Sequence, residues 1–152
     1  MTNQRFIISF ATMKSKQNTV GFLLSRASNA MSAHLNSLLK NKGIDLPHSQ
    51  YIVLKSLYDE DGISQQELAE KIYKDTAAVK RTLDILENKG LVQRIPVSMK
   101  KNSIIITQQG RELMPEVMDC LERSKQSVLS GISKQEYKLF EDILERIYQN
   151  IK

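Results

Sequence analysis

Residues Gln65–Thr107 read QQELAEKIYKDTAAVKRTLDILENKGLVQRIPVSMKKNSIIIT. Ser64 with Glu67 three positions later is a capping box, which predicts a short helix from Gln65. Leu68, Ile72 and Ala69 form its apolar face at helical spacing. Tyr73-Lys74-Asp75 breaks the pattern, and Asp75 or Thr76 can cap a second helix running to about Lys89. On that helix Val79, Leu83 and Leu86 recur at i, i+4 and i+7, so they face inward. Thr76, Ala77, Lys80, Arg81 and Asp84 fall on other faces. Gly90 then stops the helix as a left-handed C-cap. Two β-rich runs follow, Leu91–Ile95 and Ser103–Thr107, separated by Pro96-Val97-Ser98-Met99-Lys100-Lys101-Asn102.

Short helix, tight turn, longer helix and basic-tipped hairpin together predict a winged helix-turn-helix. The fold class expected is mainly α with a small β-wing. A recognition helix enters a major groove about 12 Å wide with its first turns leading. Small side chains at Ala77 and Ala78 permit close approach, and Thr76, Lys80 and Arg81 have reach to base edges or phosphates. A solvated basic helix face would look the same, so the helix alone does not decide for DNA. The hairpin adds weight: adjacent lysines and an Asn at a tip suit a phosphate or groove-edge contact. An edge hairpin protected by lysines would share that composition.

Outward from this stretch, Gln17–Lys42 reads as a long helix with a broad apolar stripe including Phe22, Leu23, Met31, His34, Leu35, Leu38 and Leu39, ended by Gly43. Asp45-Leu46-Pro47 opens another, with Tyr51, Val53, Leu54, Leu57 and Tyr58 as its buried side. Ile63 is a candidate third strand beside the wing. Thr107 can cap a helix from Gln108 to about Leu129, with Leu113, Val117, Leu121 and Val128 on one stripe and Met114, Met118 and Cys120 flanking it. A second capping box, Ser133 with Glu136, starts a last helix to about Ile151. The last two helices carry more apolar surface than a small winged domain can cover. The organisation read from the chain is a flexible basic arm over 1–14, an N-terminal dimerisation helix over 15–44, a DNA-binding region over 45–107 and C-terminal dimerisation helices over 108–152, all in one compact domain.

The 152-residue chain carries a net charge of +5, and the distribution is more telling than the total. Residues 1–44 hold six bases and no acid, residues 45–73 two bases and six acids, and residues 74–101 seven bases and three acids. Positive charge therefore concentrates on the arm, the recognition helix and the wing, as a DNA footprint requires. No apolar run approaches the roughly 20 residues of a membrane span. The run Phe6–Ala11 is too short for a signal-peptide core. A single cysteine excludes an intrachain disulfide. These features predict a cytoplasmic, nucleoid-associated protein. There is no Gly-rich phosphate loop and no nucleophile elbow, so an enzyme is not expected, nor is a cofactor. His34, His48 and Cys120 lack ligand-like spacing, so no metal site is expected. Cys120 lies between Asp119 and Glu122, which disfavours a thiolate, and reads as a buried interface thiol rather than a redox switch.

The run LAEKIYKDTAAVKRTLDILENKGLVQR, with Thr-Gln-Gln-Gly opening the next helix, resembles the MarR family of bacterial regulators. The resemblance spans Leu46 to Ile151 and is sharpest over Leu68–Arg94. It implies a homodimeric transcription factor, often a repressor released by a small ligand, whose terminal helices pair across a two-fold axis. The partner implied is a pseudo-palindromic double-stranded operator. The family's wing usually carries an Asp-x-Arg pair; the matching positions here are Ser98 and Lys100. Its recognition helix often opens Ser-Thr-Val-Thr-Arg, where this chain has Ala77-Ala78-Val79-Lys80-Arg81. The expected DNA-binding residues are Thr76, Ala77, Lys80, Arg81, Arg94, Ser98, Lys100 and Lys101. An effector pocket for a small aromatic or apolar ligand is implied between the dimer helices and the winged region, with His34, Leu38, Tyr51, Leu54, Met114 and Met118 as candidate linings. The alternative is a winged-helix dimer that serves as a protein-interaction adaptor without operator binding.

Overall fold

A computed structural model describes residues 19–98 and 101–152, with the backbone alone at Lys101. The arm expected over 1–14 and the wing residue Lys100 lie outside the described residues, as does the Lys101 side chain. The described chain runs α1 (Val20–Asn41), α2 (His48–Asp59), α3 (Gln65–Lys71), α4 (Thr76–Asn88), β1 (Val92–Ser98), β2 (Lys101–Ile106), α5 (Gln108–Val128) and α6 (Lys134–Ile151).

Local chemistry sets these boundaries. Ser64 accepts the Glu67 N–H at 3.2 Å while Glu67 accepts the Ser64 N–H at 2.7 Å, the reciprocal box expected for α3. Asp75, not Thr76, caps α4, accepting the Ala78 N–H at 2.8 Å. At the other end Gly90 has φ 72°, Gly90 N–H reaches Glu87 O at 2.9 Å and Leu91 N–H reaches Leu86 O at 2.9 Å. That pair of bonds is a Schellman closure, which needs a left-handed residue at the position of Gly90. Thr107 caps α5 and Ser133 with Glu136 boxes α6.

The wing is an antiparallel pair in register Val92↔Ile106 through Pro96↔Asn102, with an irregularity between Pro96 and Ser98. Its strands extend into the segment read from sequence as the connecting loop. Ile63 bridges Ile104, with Ile104 N–H donating to Ile63 O at 2.8 Å, so the third strand is reduced to one bridge.

One core joins the elements. Val79, Leu83 and Leu86 on α4 are buried against Val53, Leu54 and Leu57 of α2 and Leu68 of α3, with Val92, Ile104 and Ile106 closing the wing side. Each fully buried Leu contributes about 1.5–3 kcal/mol, so α4 is held rigidly by its inner face. On α1 Leu35 and Leu39 are buried, while Phe22, Leu23 and Met31 of its apolar stripe are exposed in the single chain. Two expectations need correction. On α2 Tyr58 points to solvent. On α5 the core side is Gly110, Met114, Val117, Cys120 and Ser124, with Leu113 and Leu121 only partly buried. The core face is thus centred on Met114, Val117 and Cys120, not on the Leu113–Leu121 stripe. No residue of α6 is buried, and Leu139, Phe140 and Ile143 are exposed.

Candidate nucleic-acid interface

The helix-turn-helix places α4 with its apolar triad inward and its first two turns outward. Thr76, Ala77, Lys80 and Arg81 are all exposed. Gln65 Nε2 donates to Thr76 O at 3.2 Å, tying the start of α3 to the start of α4. Lys80 pairs with Asp84 at 3.3 Å across one turn. An exposed i,i+4 pair is worth only about 0.3–0.5 kcal/mol, so Lys80 can exchange that carboxylate for a phosphate at little cost. Among the described residues no carboxylate pairs with Arg81.

Arg94 behaves differently from the sequence-based expectation. Its side chain is 18% exposed. One guanidinium nitrogen donates to Asp84 Oδ1 at 2.7 Å and to Lys80 O at 3.3 Å, and the other donates to Glu87. Its backbone N–H also meets Glu87, at 3.2 Å. β1 runs alongside α4, so the two α4 carboxylates fall under the guanidinium and form a planar, several-point clamp. Arg94 therefore ties the wing to the recognition helix. The Arg94 hydrogen bond, assisted by Lys80, holds the Asp84 carboxyl below its ordinary pKa.

A second anchor sits at the far end of α4. Lys89 Nζ donates to Asp45 O and Asp45 Oδ2, both at 2.7 Å, and to Gln50 Oε1 at 2.9 Å. This ties the end of the recognition helix to the α1–α2 connection and to buried Gln50. Sequence periodicity could not find either anchor, because both join residues from different elements.

Ser98 is exposed at the end of β1. Between α3, the start of α4 and the wing lies a polar notch of about 610 Å³ lined in part by Ser64, Gln65, Thr76, Arg94 and Asn102. Asn102 is the hairpin-tip Asn that the sequence offers as a phosphate or groove-edge contact, whereas nothing in the sequence marks Gln65. Glu67 and Glu70 of α3 line the same notch.

A second cleft, of about 450 Å³, lies between α1, α2, α5 and α6. Leu24, Met31, Tyr51, Leu121, Val128 and Phe140 give it apolar walls, and His48, Ser124 and Lys125 supply polar groups. Of the six candidate lining residues only Tyr51 is there. Leu54 and Met114 are fully buried in the core, Leu38 packs against it, and His34 and Met118 are exposed elsewhere. A lining residue and a core residue have the same apolar signature, which is why sequence did not separate them. His48 and Tyr51 stand ring to ring at 6.0 Å. Burial, then the Lys74 ammonium, pushes the His48 pKa down, and its Nδ1 is buried without a hydrogen-bond partner among the described residues. Burial, then Asp59, pushes the Tyr51 phenol up. The Cys120 thiol is raised by burial first and by Asp119 next, which opposes the thiolate that redox sensing requires.

Among the described residues no group of three His, Cys, Asp or Glu side chains is arranged to hold a metal ion, and no helix is long and apolar enough to cross a membrane.

A recognition helix anchored at both ends and a wing clamped to its side define a winged helix-turn-helix DNA-binding protein. The MarR family model matches residues 46–97. The chain is 30% identical over 118 residues to the uncharacterised HTH-type transcriptional regulator YybA of Bacillus subtilis (strain 168), covering 76% of this chain and 79% of the relative. Among solved structures it is similar to CouR from Rhodococcus jostii RHA1 bound to p-coumaroyl-CoA, with 25% identity, TM-score 0.74 and 88% and 94% of the two chains covered. It shares its fold with Bordetella bronchiseptica BpsR, whose DNA binding is regulated by 6-hydroxynicotinic acid, at 23% identity and TM-score 0.79 over 89% and 97% of the chains. The chain belongs to the MarR family: it is a transcriptional regulator, not an enzyme.

Proposed function

We propose that the chain is a homodimeric, cytoplasmic and nucleoid-associated repressor that reads a pseudo-palindromic operator and is released by a small, largely apolar effector. The observation that carries this reading is the outward face of α4. Thr76, Ala77, Lys80 and Arg81 are presented together on a helix whose inner face and both flanks are fixed. Ala77 allows close approach, Thr76 and Lys80 reach base edges, and Arg81 reaches a base or a phosphate. Ser98, Lys100 and Lys101 serve as the wing's contacts with the backbone, whereas Arg94 positions the wing. The exposed apolar faces of α1 and α6 support dimerisation through segments 15–44 and 108–152. Two-fold pairing would place two recognition helices about one DNA turn apart.

The α1–α2–α5–α6 cleft supports effector binding, because it is apolar yet has Ser124 and Lys125 among its lining residues for a polar group. Aromatic ligands suit it; 6-hydroxynicotinic acid regulates the DNA binding of BpsR, and CouR binds p-coumaroyl-CoA. A ligand there lowers operator affinity only if it favours a dimer with displaced recognition helices. A second reading, an adaptor without operator binding, draws on Ala77, Ala78 and the internal use of Arg94. Fluorescence anisotropy on labelled duplex across a salt series separates the two. Operator binding requires log affinity to fall with log salt at about 0.9 per phosphate contact. A flat salt response with no duplex preference would favour the adaptor.

A further inference from the structure

Tyr73 is the only non-glycine residue with positive φ among the described residues, at 53°. It stands at the left-handed position closing α3: Tyr73 N–H reaches Glu70 O at 3.2 Å and Lys74 N–H reaches Ala69 O at 3.0 Å. Glycine fills the equivalent position after α1 and α4, as Gly43 and Gly90. A Cβ is unfavourable in that conformation, and Tyr lacks the short polar side chain that lets Asn or Asp tolerate it. The core does not explain the choice, because Tyr73 is 79% exposed. The ring's contact is with α6: its centroid lies 5.8 Å from that of Tyr148, the planes at 70°, an edge-to-face pair. Lys152 Nζ lies 5.5 Å from the Tyr148 ring centroid.

The other end of α6 lines the apolar cleft through Tyr137, Phe140 and Leu144. Eleven residues of helix separate Tyr137 from Tyr148, about 16 Å at 1.5 Å per residue. No α6 residue is buried in the core, so the helix sits on its own chain through surface contacts, these among them.

We infer that the Tyr73–Tyr148 pair is a positioning contact through which α6 sets the helix-turn-helix turn, and with it the spacing of the recognition helices. This rests on the DNA-binding dimer proposed above. Tyr73 supplies the ring at the expense of the backbone conformation that glycine would satisfy better.

The test uses full-length Tyr148→Ala, Tyr148→Phe, Tyr73→Gly and the Tyr73→Gly/Tyr148→Ala double variant. Hydrogen exchange is measured at the Tyr73 and Lys74 amides in the Tyr148 variants. Affinity is measured for an inverted repeat selected by the wild-type protein and for its isolated half-site. In Tyr148→Ala the turn amides are expected to exchange about two- to tenfold faster, the range an edge-to-face pair allows, while Tyr148→Phe matches the wild type. Tyr73→Gly, which suits the backbone, is expected to melt no lower than wild type. It should bind the inverted repeat about two- to tenfold more weakly, with half-site affinity unchanged. The double variant should be no weaker than either single one. Unchanged exchange in Tyr148→Ala, a parallel loss on half-site and repeat, or multiplying losses in the double variant would overturn the inference. If the wild type binds no duplex, the DNA-binding reading fails, and the exchange arm still decides whether the contact holds the turn.

Discussion

Gly110→Ala sets two physical effects against each other. Gly110 lies in the first turn of α5, and helix propensity favours Ala there by up to about 1 kcal/mol. The site opposes it. A Cβ at Gly110 would stand 2.4 Å from Leu91 O and 2.7 Å from Ile106 Cγ1. The nearer atom is backbone and cannot rotate away. It is also the acceptor of the Thr107 N–H at 3.0 Å, the bond that fastens the start of α5 to the root of the wing. Overpacking of this kind costs about 1–3 kcal/mol, and a weakened backbone hydrogen bond adds about 0.5–1.5 kcal/mol. The net expectation is a loss of about 2 kcal/mol, which for a chain of this length lowers the melting temperature by roughly 4–8 °C. Gly21→Ala is the control: it is also helical, and nothing lies within 4 Å of the added Cβ. It should hold or raise the melting temperature. Thermal melts at one fixed protein concentration compare the three proteins. A Gly110→Ala protein as stable as Gly21→Ala would refute the close approach of α5 to the wing root.

Arg94→Met should weaken operator binding because the wing loses its clamp; faster hydrogen exchange along β1 should accompany the loss. Asp84 has a depressed folded pKa, so the clamp's contribution is complete above the ordinary carboxyl value and is lost as pH falls through the folded one. Arg94→Met should remove that acid-side component from the pH profile of stability. Lys89→Met leaves buried Gln50 and the Asp45 carbonyl without their donor, with an expected cost of about 1–3 kcal/mol in chemical denaturation. For His48, whose folded pKa lies below the ordinary 6.5, folding favours the neutral ring. Stability should be full above that value and fall as pH drops below it, and His48→Phe should flatten this decline in melting temperature.

What could be read from the chain beforehand was what is local in it. Ser64 with Glu67, Asp75, Gly90 and Thr107 mark helix ends through bonds spanning three to five residues, and each stands where its chemistry requires. The inward triad of α4 follows from spacing alone. Arg94 could not be assigned, because basic residues near a wing look alike until the strand is laid beside Asp84 and Glu87. Pattern alone does not fix the face of α5, because Leu113 and Met114 are adjacent and apolar, and one residue of rotation decides which is buried. The cleft was equally hidden: its walls come from four helices, and nothing in Leu54 or Met114 marks them as core rather than lining. Tyr73 did carry a signal, a bulky residue where the turn calls for glycine, but its partner Tyr148 lies 75 positions away.

The most direct measurement is selection of bound sequences from a random duplex library by the full-length protein at near-physiological salt. A dimeric regulator should enrich an inverted repeat with half-site centres about one helical turn apart. Substitution of Thr76 or Lys80 should then shift the preferred bases, while Lys100→Ala weakens binding on all sequences alike. A folded dimer that retains no duplex above background would contradict operator binding.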